Sequence, residues 1–134
     1  MPKVEVSNGE LLDKCAILHI KSERIPDKDK LVNVRNEIEA LSYEVDMLMT
    51  HNPTDAALDI LYLQLVAINE QLWDVEDILR SCECDGIESD DEVEEFVEHA
   101  RSVYKLNDER ARIKREINIL TESTLVEEKS YEEY

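Results

Sequence analysis

Residues 58–79 read LDILYLQLVAINEQLWDVEDIL. Leu58, Leu61, Leu65, Ile68, Leu72, Val75 and Leu79 recur at spacings of 3-4-3-4-3-4. That period lays one apolar stripe along a helix, whereas a strand would need alternation every second residue. A cap at Thr54 or Asp55 starts the helix, and the pattern carries it to about Cys82, roughly 40 Å at 1.5 Å per residue. Ala57, Ile60, Tyr62, Ala67, Trp73 and Ile78 widen the apolar face beyond a two-helix seam, which places this helix against more than one neighbour.

Working outward, the same grammar recurs on both sides. Leu31, Val34, Ile38, Leu41, Val45 and Leu48 step 3-4-3-4-3 through a second helix over about 28–50. It starts near Asp27 or Asp29 and ends at Thr50-His51-Asn52-Pro53, since proline pushes its predecessor out of the helical region. Before it, Ser7-Asn8-Gly9-Glu10 has the spacing of a capping box and opens a helix over about 9–24, with Leu11, Cys15, Leu18 and Ile25 on one stripe and Pro26 as the stop. After residue 82, Cys84-Asp85-Gly86 reads as a turn and Ser89-Asp90-Asp91-Glu92 as a second capping box. A last helix over about 91–121 carries Val93, Phe96, Ala100, Val103, Leu106, Ile113, Ile117 and Leu120. Arg110 alone interrupts that seam. Residues 122–134 form a polar tail, and Val126-Glu127-Glu128 offers a minor two-strand pairing with Val4-Glu5-Val6. The expected fold is therefore one all-α domain, an antiparallel helical bundle built on a long coiled-coil-like hairpin.

Composition agrees. With 2 Gly and 3 Pro in 134 residues, turns are few and elements long. No segment approaches the ~18 apolar residues of a membrane span, and the N-terminus has no apolar run of the signal-peptide kind. Cys15, Cys82 and Cys84 are odd in number and make no disulfide framework, which favours a reducing cytoplasm. The net charge is −18, and residues 51–100 hold 15 Asp/Glu against one basic residue, Arg80. Such a surface repels phosphate backbones and anionic membranes, so neither nucleic acid nor membrane is an expected partner. It reads as a solvated face, or less simply as a mimic of DNA.

Folding the hairpins by residue number stacks Asn36 near Asn69, Asn69 near Tyr104 and Asn107, and Arg35 near Asp13 and Lys14. One polar layer then gathers Asp13, Lys14, Arg35, Asn36, Asn69, Glu70, Tyr104, Asn107 and Arg110, of which Lys14, Arg35, Asn69, Glu70, Asn107 and Arg110 are the candidate ligand-binding residues. The layer has two readings. It fixes register, with Arg110 paired to Glu70. Or it is a pocket in which Arg35 and Arg110 grip a small anion. Glu70, Asp74 and Asp77 share a helix face at a spacing that can hold Mg²⁺ in nucleotide-hydrolysing helical enzymes, with Glu37 and Glu44 as further donors, although the two-helix signature of those enzymes is not matched in order. Cys82-Glu83-Cys84 lacks the four ligands of a structural zinc site, and His19, His51 and His99 are dispersed. No catalytic triad, phosphate loop or nucleophile elbow is present, so no catalytic residue, metal or cofactor is assigned.

Three stretches carry a resemblance: Ser7-Asn8-Gly9-Glu10-Leu11-Leu12-Asp13-Lys14 with Ile20-Lys21 and Arg24-Ile25; Leu106-Asn107-Asp108-Glu109-Arg110 with Ile113-Lys114; and Val126-Glu127-Glu128-Lys129-Ser130-Tyr131. Together they resemble a family of small helical proteins from bacteria and phages with no assigned function. The resemblance spans nearly the whole chain and implies one compact domain. A second similarity, of general pattern only, is to the helical chorismate mutases, intertwined dimers with Arg and Lys reaching inward. Their ordered basic residues are missing, since Lys14, Lys21 and Arg24 fall at other spacings. The function expected is a non-enzymatic helical module that self-associates, as a homodimer, or docks a protein partner. The alternative is an anion-binding protein or enzyme using the polar layer.

Overall fold

The structure is a computed structural model and describes residues 1–51 and 55–134. Four helices follow in order: α1 Asn8–Arg24, α2 Lys28–Thr50, α3 Asp55–Asp85 and α4 Asp90–Leu120. The fold is all-α, and no strand occurs among the described residues.

Local chemistry sets most of these limits. Ser7 caps α1 by accepting from the Glu10 amide, and Asp27 caps α2 by accepting from the amides of Asp29 and Lys30. Ser89 caps α4 in the same way through Glu92. Asp55, one of the two expected caps of α3, is the first residue of that helix; the other, Thr54, and the turn at Asn52-Pro53 lie outside the described residues. Helix α3 ends later than its sequence suggests. Cys84 and Asp85 remain helical, and Gly86, at φ 84°, closes the helix by donating its N–H to the Cys82 carbonyl.

Helices α3 and α4 are antiparallel and make the most extensive contact in the molecule. Asn69 and Arg110 meet across them, as the expected layer implied, with Arg110 donating to the Asn69 side-chain oxygen at 3.1 Å. Helix α1 lies across both. Leu12 and Ala16 of α1, Leu58, Leu65, Ile68 and Leu72 of α3, and Ile113 and Ile117 of α4 form the buried core.

Helix α2 corrects the sequence reading. It packs chiefly on α1 and touches α3 only sparsely. Of its six-residue seam only Val34 is buried, Ile38 is 38% exposed, and Val45 and Leu48 reach the edge of the core. A heptad pattern states that a stripe is apolar, not which helix covers it.

The termini meet, but not as strands. Glu122, at φ 53°, turns the chain back after α4, and Ser123 donates its N–H to the Asn118 carbonyl. Glu127 then accepts hydrogen bonds from Ser7 Oγ (2.5 Å) and Asn118 Nδ2 (3.0 Å). The expected pairing of residues 4–6 with 126–128 is replaced by this side-chain clasp.

Candidate functional site

The clasp begins at Gly9. A Cβ there would lie 2.4 Å from the Lys114 carbonyl oxygen and 2.9 Å from Asn118 Oδ1. Only glycine lets the start of α1 rest directly on the backbone of α4. The Gly9 N–H donates to Asn118 Oδ1 at 2.6 Å, and Asn8 Nδ2 donates to Thr121 Oγ1 at 2.9 Å.

From this crossing a chain of polar side chains runs inward between α1, α3 and α4. Lys114 Nζ lies 2.5 Å from Glu10 and 3.6 Å from Asp13 Oδ2. Asp13 is 4% exposed, and its Oδ1 accepts from Asn69 Nδ2 at 2.8 Å. Asn69, 5% exposed, turns its own oxygen to Arg110, which donates to it at 3.1 Å. The other arm of the Arg110 guanidinium donates to Asn107 Oδ1 at 2.8 Å. No buried side-chain nitrogen or oxygen among the described residues lacks a partner. Burying Asp13 is tolerable because every polar neighbour is satisfied.

The two cations of this row are treated differently. Lys114 stands between two carboxylates. Arg110 stands between two amides and has no carboxylate oxygen within 4 Å among the described residues. A cleft of about 330 Å³ opens beside it, with Ile17, Leu72, Trp73 and Val103 among its walls and Glu76 on its lining. Trp73 is flanked by Arg24, whose guanidinium carbon lies 5.9 Å from the ring centre and which also bonds Asp74 at 2.5 Å.

Of the residues expected in the polar layer, Asp13, Asn69, Asn107 and Arg110 come together. Glu70 does not pair with Arg110; its charge acts on Arg24. Lys14 is exposed and pairs with Glu37 on α2 at 3.4 Å. Arg35 and Asn36 are exposed on α2; α1 and α2 pair around Pro26 as expected, with Lys14 meeting Glu37, but α2 touches α3 only sparsely, and Asn69 takes Asp13 and Arg110 as partners in place of Asn36. Glu10, Lys114, Asn118 and Glu127 were not anticipated. One signal for them was available: a glycine in the first turn of a helix, in a chain with only two, marks a close backbone approach. The carboxylates of Glu70, Asp74 and Asp77 do not gather a metal cage, and no group of three His, Cys, Asp or Glu side chains converges among the described residues. Cys82 and Cys84 are free thiols within α3.

Elsewhere Cys15 Sγ meets the Tyr62 hydroxyl at 3.5 Å, and burial, with Cys15 beside it, raises the Tyr62 hydroxyl well above its ordinary value. This contact packs α1 on α3 and adds no acid–base pair to the row. No helix among the described residues is long and apolar enough to cross a membrane.

The stretches Ser7–Lys14, Leu106–Lys114 and Val126–Tyr131, which carried the resemblance, supply most of the clasp and the polar row. No curated protein and no solved structure matches the chain. A family of unknown function, DUF6165, matches residues 2–134, and the chain belongs to it.

Proposed function

We propose that this protein is a non-enzymatic helical module that pairs with a second copy of itself through the outer face of α3. The observation that carries the reading is a second apolar stripe on that helix. Ala56, Ile60, Leu63 and Ala67 are spaced 4-3-4 on the side away from the core, and all are exposed, Ile60 by 58% and Leu63 by 66%. Ile119 of α4, 63% exposed, extends the patch across a groove shared with Ala57, Ile60, Leu61 and Leu120, whose lining also includes Gln64 and the paired Arg112 and Glu116.

Area and charge support a like partner. The chain exposes 9625 Å², whereas a compact monomer of its 15.6 kDa exposes about 7,200 Å². Part of the excess lies in the non-helical segments 1–6 and 122–134, and part on helix faces. A standard interface needs about 800 Å² from each partner. Two chains of charge −18 repel, so they pair best where charge is lowest. Residues 56–69 hold one charged residue, Asp59. A two-fold arrangement sets this stripe against its own copy.

Sedimentation velocity from about 1 to 100 µM tests the reading through mass action. A dimer is expected, tightening as NaCl rises from about 0.05 to 0.5 M because salt screens the repulsion between acidic chains. A monomer throughout would remove this function.

A further inference from the structure

We propose that the cleft over Arg110 binds a small organic carboxylate with an apolar body. The site lies between α1, α3 and α4 and is independent of the outer face of α3.

The carboxylates of the row are turned away from Arg110. The chain has 33 Asp and Glu, yet those nearest Arg110 in the row, Asp13 and Glu10, are turned to Lys114 and Asn69. A guanidinium has five N–H donors. Two are used, on Asn69 and Asn107. Amide oxygens fix the direction of the fork without neutralising its charge, and Asn69 is itself fixed by Asp13 from the far side. A carboxylate arriving at the free N–H groups would make a charge-assisted, planar pair.

The walls select among anions. Ile17, Ile20, Leu72, Trp73 and Val103 offer apolar contact to the body of a ligand. Glu76 on the lining and the overall charge of −18 penalise a second or third negative charge, which argues against phosphates and nucleotides. A volume of about 330 Å³ suits a molecule of the size of a substituted benzoate, at the small end of ligand pockets.

Trp73 is the chain's one tryptophan, so its emission reads the cleft directly. The full chain is titrated to about 10 mM with benzoate, with neutral benzamide and with inorganic phosphate, alongside thermal melts. Benzoate is expected to change Trp73 emission saturably and to raise Tm, and the other two are not. Arg110→Met should weaken benzoate about tenfold to a hundredfold, the worth of one or two hydrogen bonds to a charged group. Asn107→Asp keeps the arginine and places a carboxylate against it, so it should weaken binding comparably while circular dichroism stays helical. If Arg110→Met fails to fold, Asn107→Asp decides alone. An equal response to benzamide or phosphate, undiminished binding in Asn107→Asp, or no saturable response to benzoate would each overturn the proposal.

Discussion

Helix α3 has two apolar stripes with the same kind of spacing and opposite fates. Leu58, Leu61, Leu65, Ile68 and Leu72 face α1 and α4, and all but Leu61 are buried. Ala56, Ile60, Leu63 and Ala67 face outward and are uncovered. The inner face is also where polar groups enter the core, through Asn69. Every buried side-chain nitrogen and oxygen there has a partner among the described residues. The outer face has no polar ordering at all between Ile60 and Ala67 beyond Gln64. The difference separates two uses of one pattern. The inner stripe, with its hydrogen-bonded row, defines a single packing of the chain. The outer stripe can be covered only by something outside the chain.

The largest break in the comparison comes from matched truncations. Leu65→Ala opens a cavity in the inner stripe, and urea denaturation should show a loss of about 2–5 kcal/mol. Leu63→Ala, two residues away on the outer stripe, should change monomer stability by no more than about 0.5 kcal/mol. Similar losses at both sites would mean that the outer stripe is covered within the chain.

A smaller effect tests the closed side at its edge. Gly9→Ala puts a methyl 2.4 Å from a backbone oxygen, which a side-chain shift cannot relieve. The expected cost is about 1–3 kcal/mol of overpacking, together with loss of the Gly9–Asn118 bond in amide exchange. A helix-favouring gain on substituting alanine would show that α1 does not rest on α4 as described.

The smallest effect concerns the clasp. Burial pushes the Glu127 carboxyl up, but hydrogen bonds from Ser7 and Asn118 and the charge of Lys114 outweigh it and hold it below its ordinary 4.5. A depressed carboxyl stabilises the fold above its unfolded value and loses that contribution as pH falls through the lower folded one. Glu127→Gln should therefore cost a few tenths of a kcal/mol at neutral pH. The gap should close on acidification below 4.5. A gap that widens in acid would contradict the clasp.

Four helices, the caps of α1, α2 and α4, and the core positions Leu58, Leu65, Ile68, Leu72, Ile113 and Ile117 were legible because each rests on local chemistry: period, capping side chains, glycine and proline. Arg110 was legible as an interruption of a seam. Two things were not. The placement of α2 depends on which apolar stripe wins the core, a competition decided by packing across the whole molecule, so the expectation of Asn36 beside Asn69 fails. The end of α3 is the other: Cys84 and Asp85 read as turn residues, yet the helix runs through them to Gly86, whose positive φ stops it. Lys114 and Asn118 were missed because polar residues on a helix flank carry no period of their own, and Glu127 because it lies in the non-helical segment after α4. Only the crossing of α1 at Gly9 gives them partners.

The outer stripe is tested most directly by sedimentation of the wild-type chain beside Ile60→Glu/Leu63→Glu at about 100 µM. The expected result is a wild-type dimer and a double variant that is monomeric yet equally helical and equally stable as a monomer. A wild-type monomer, or a dimer that survives both substitutions, would contradict the claim that this face of α3 joins two copies.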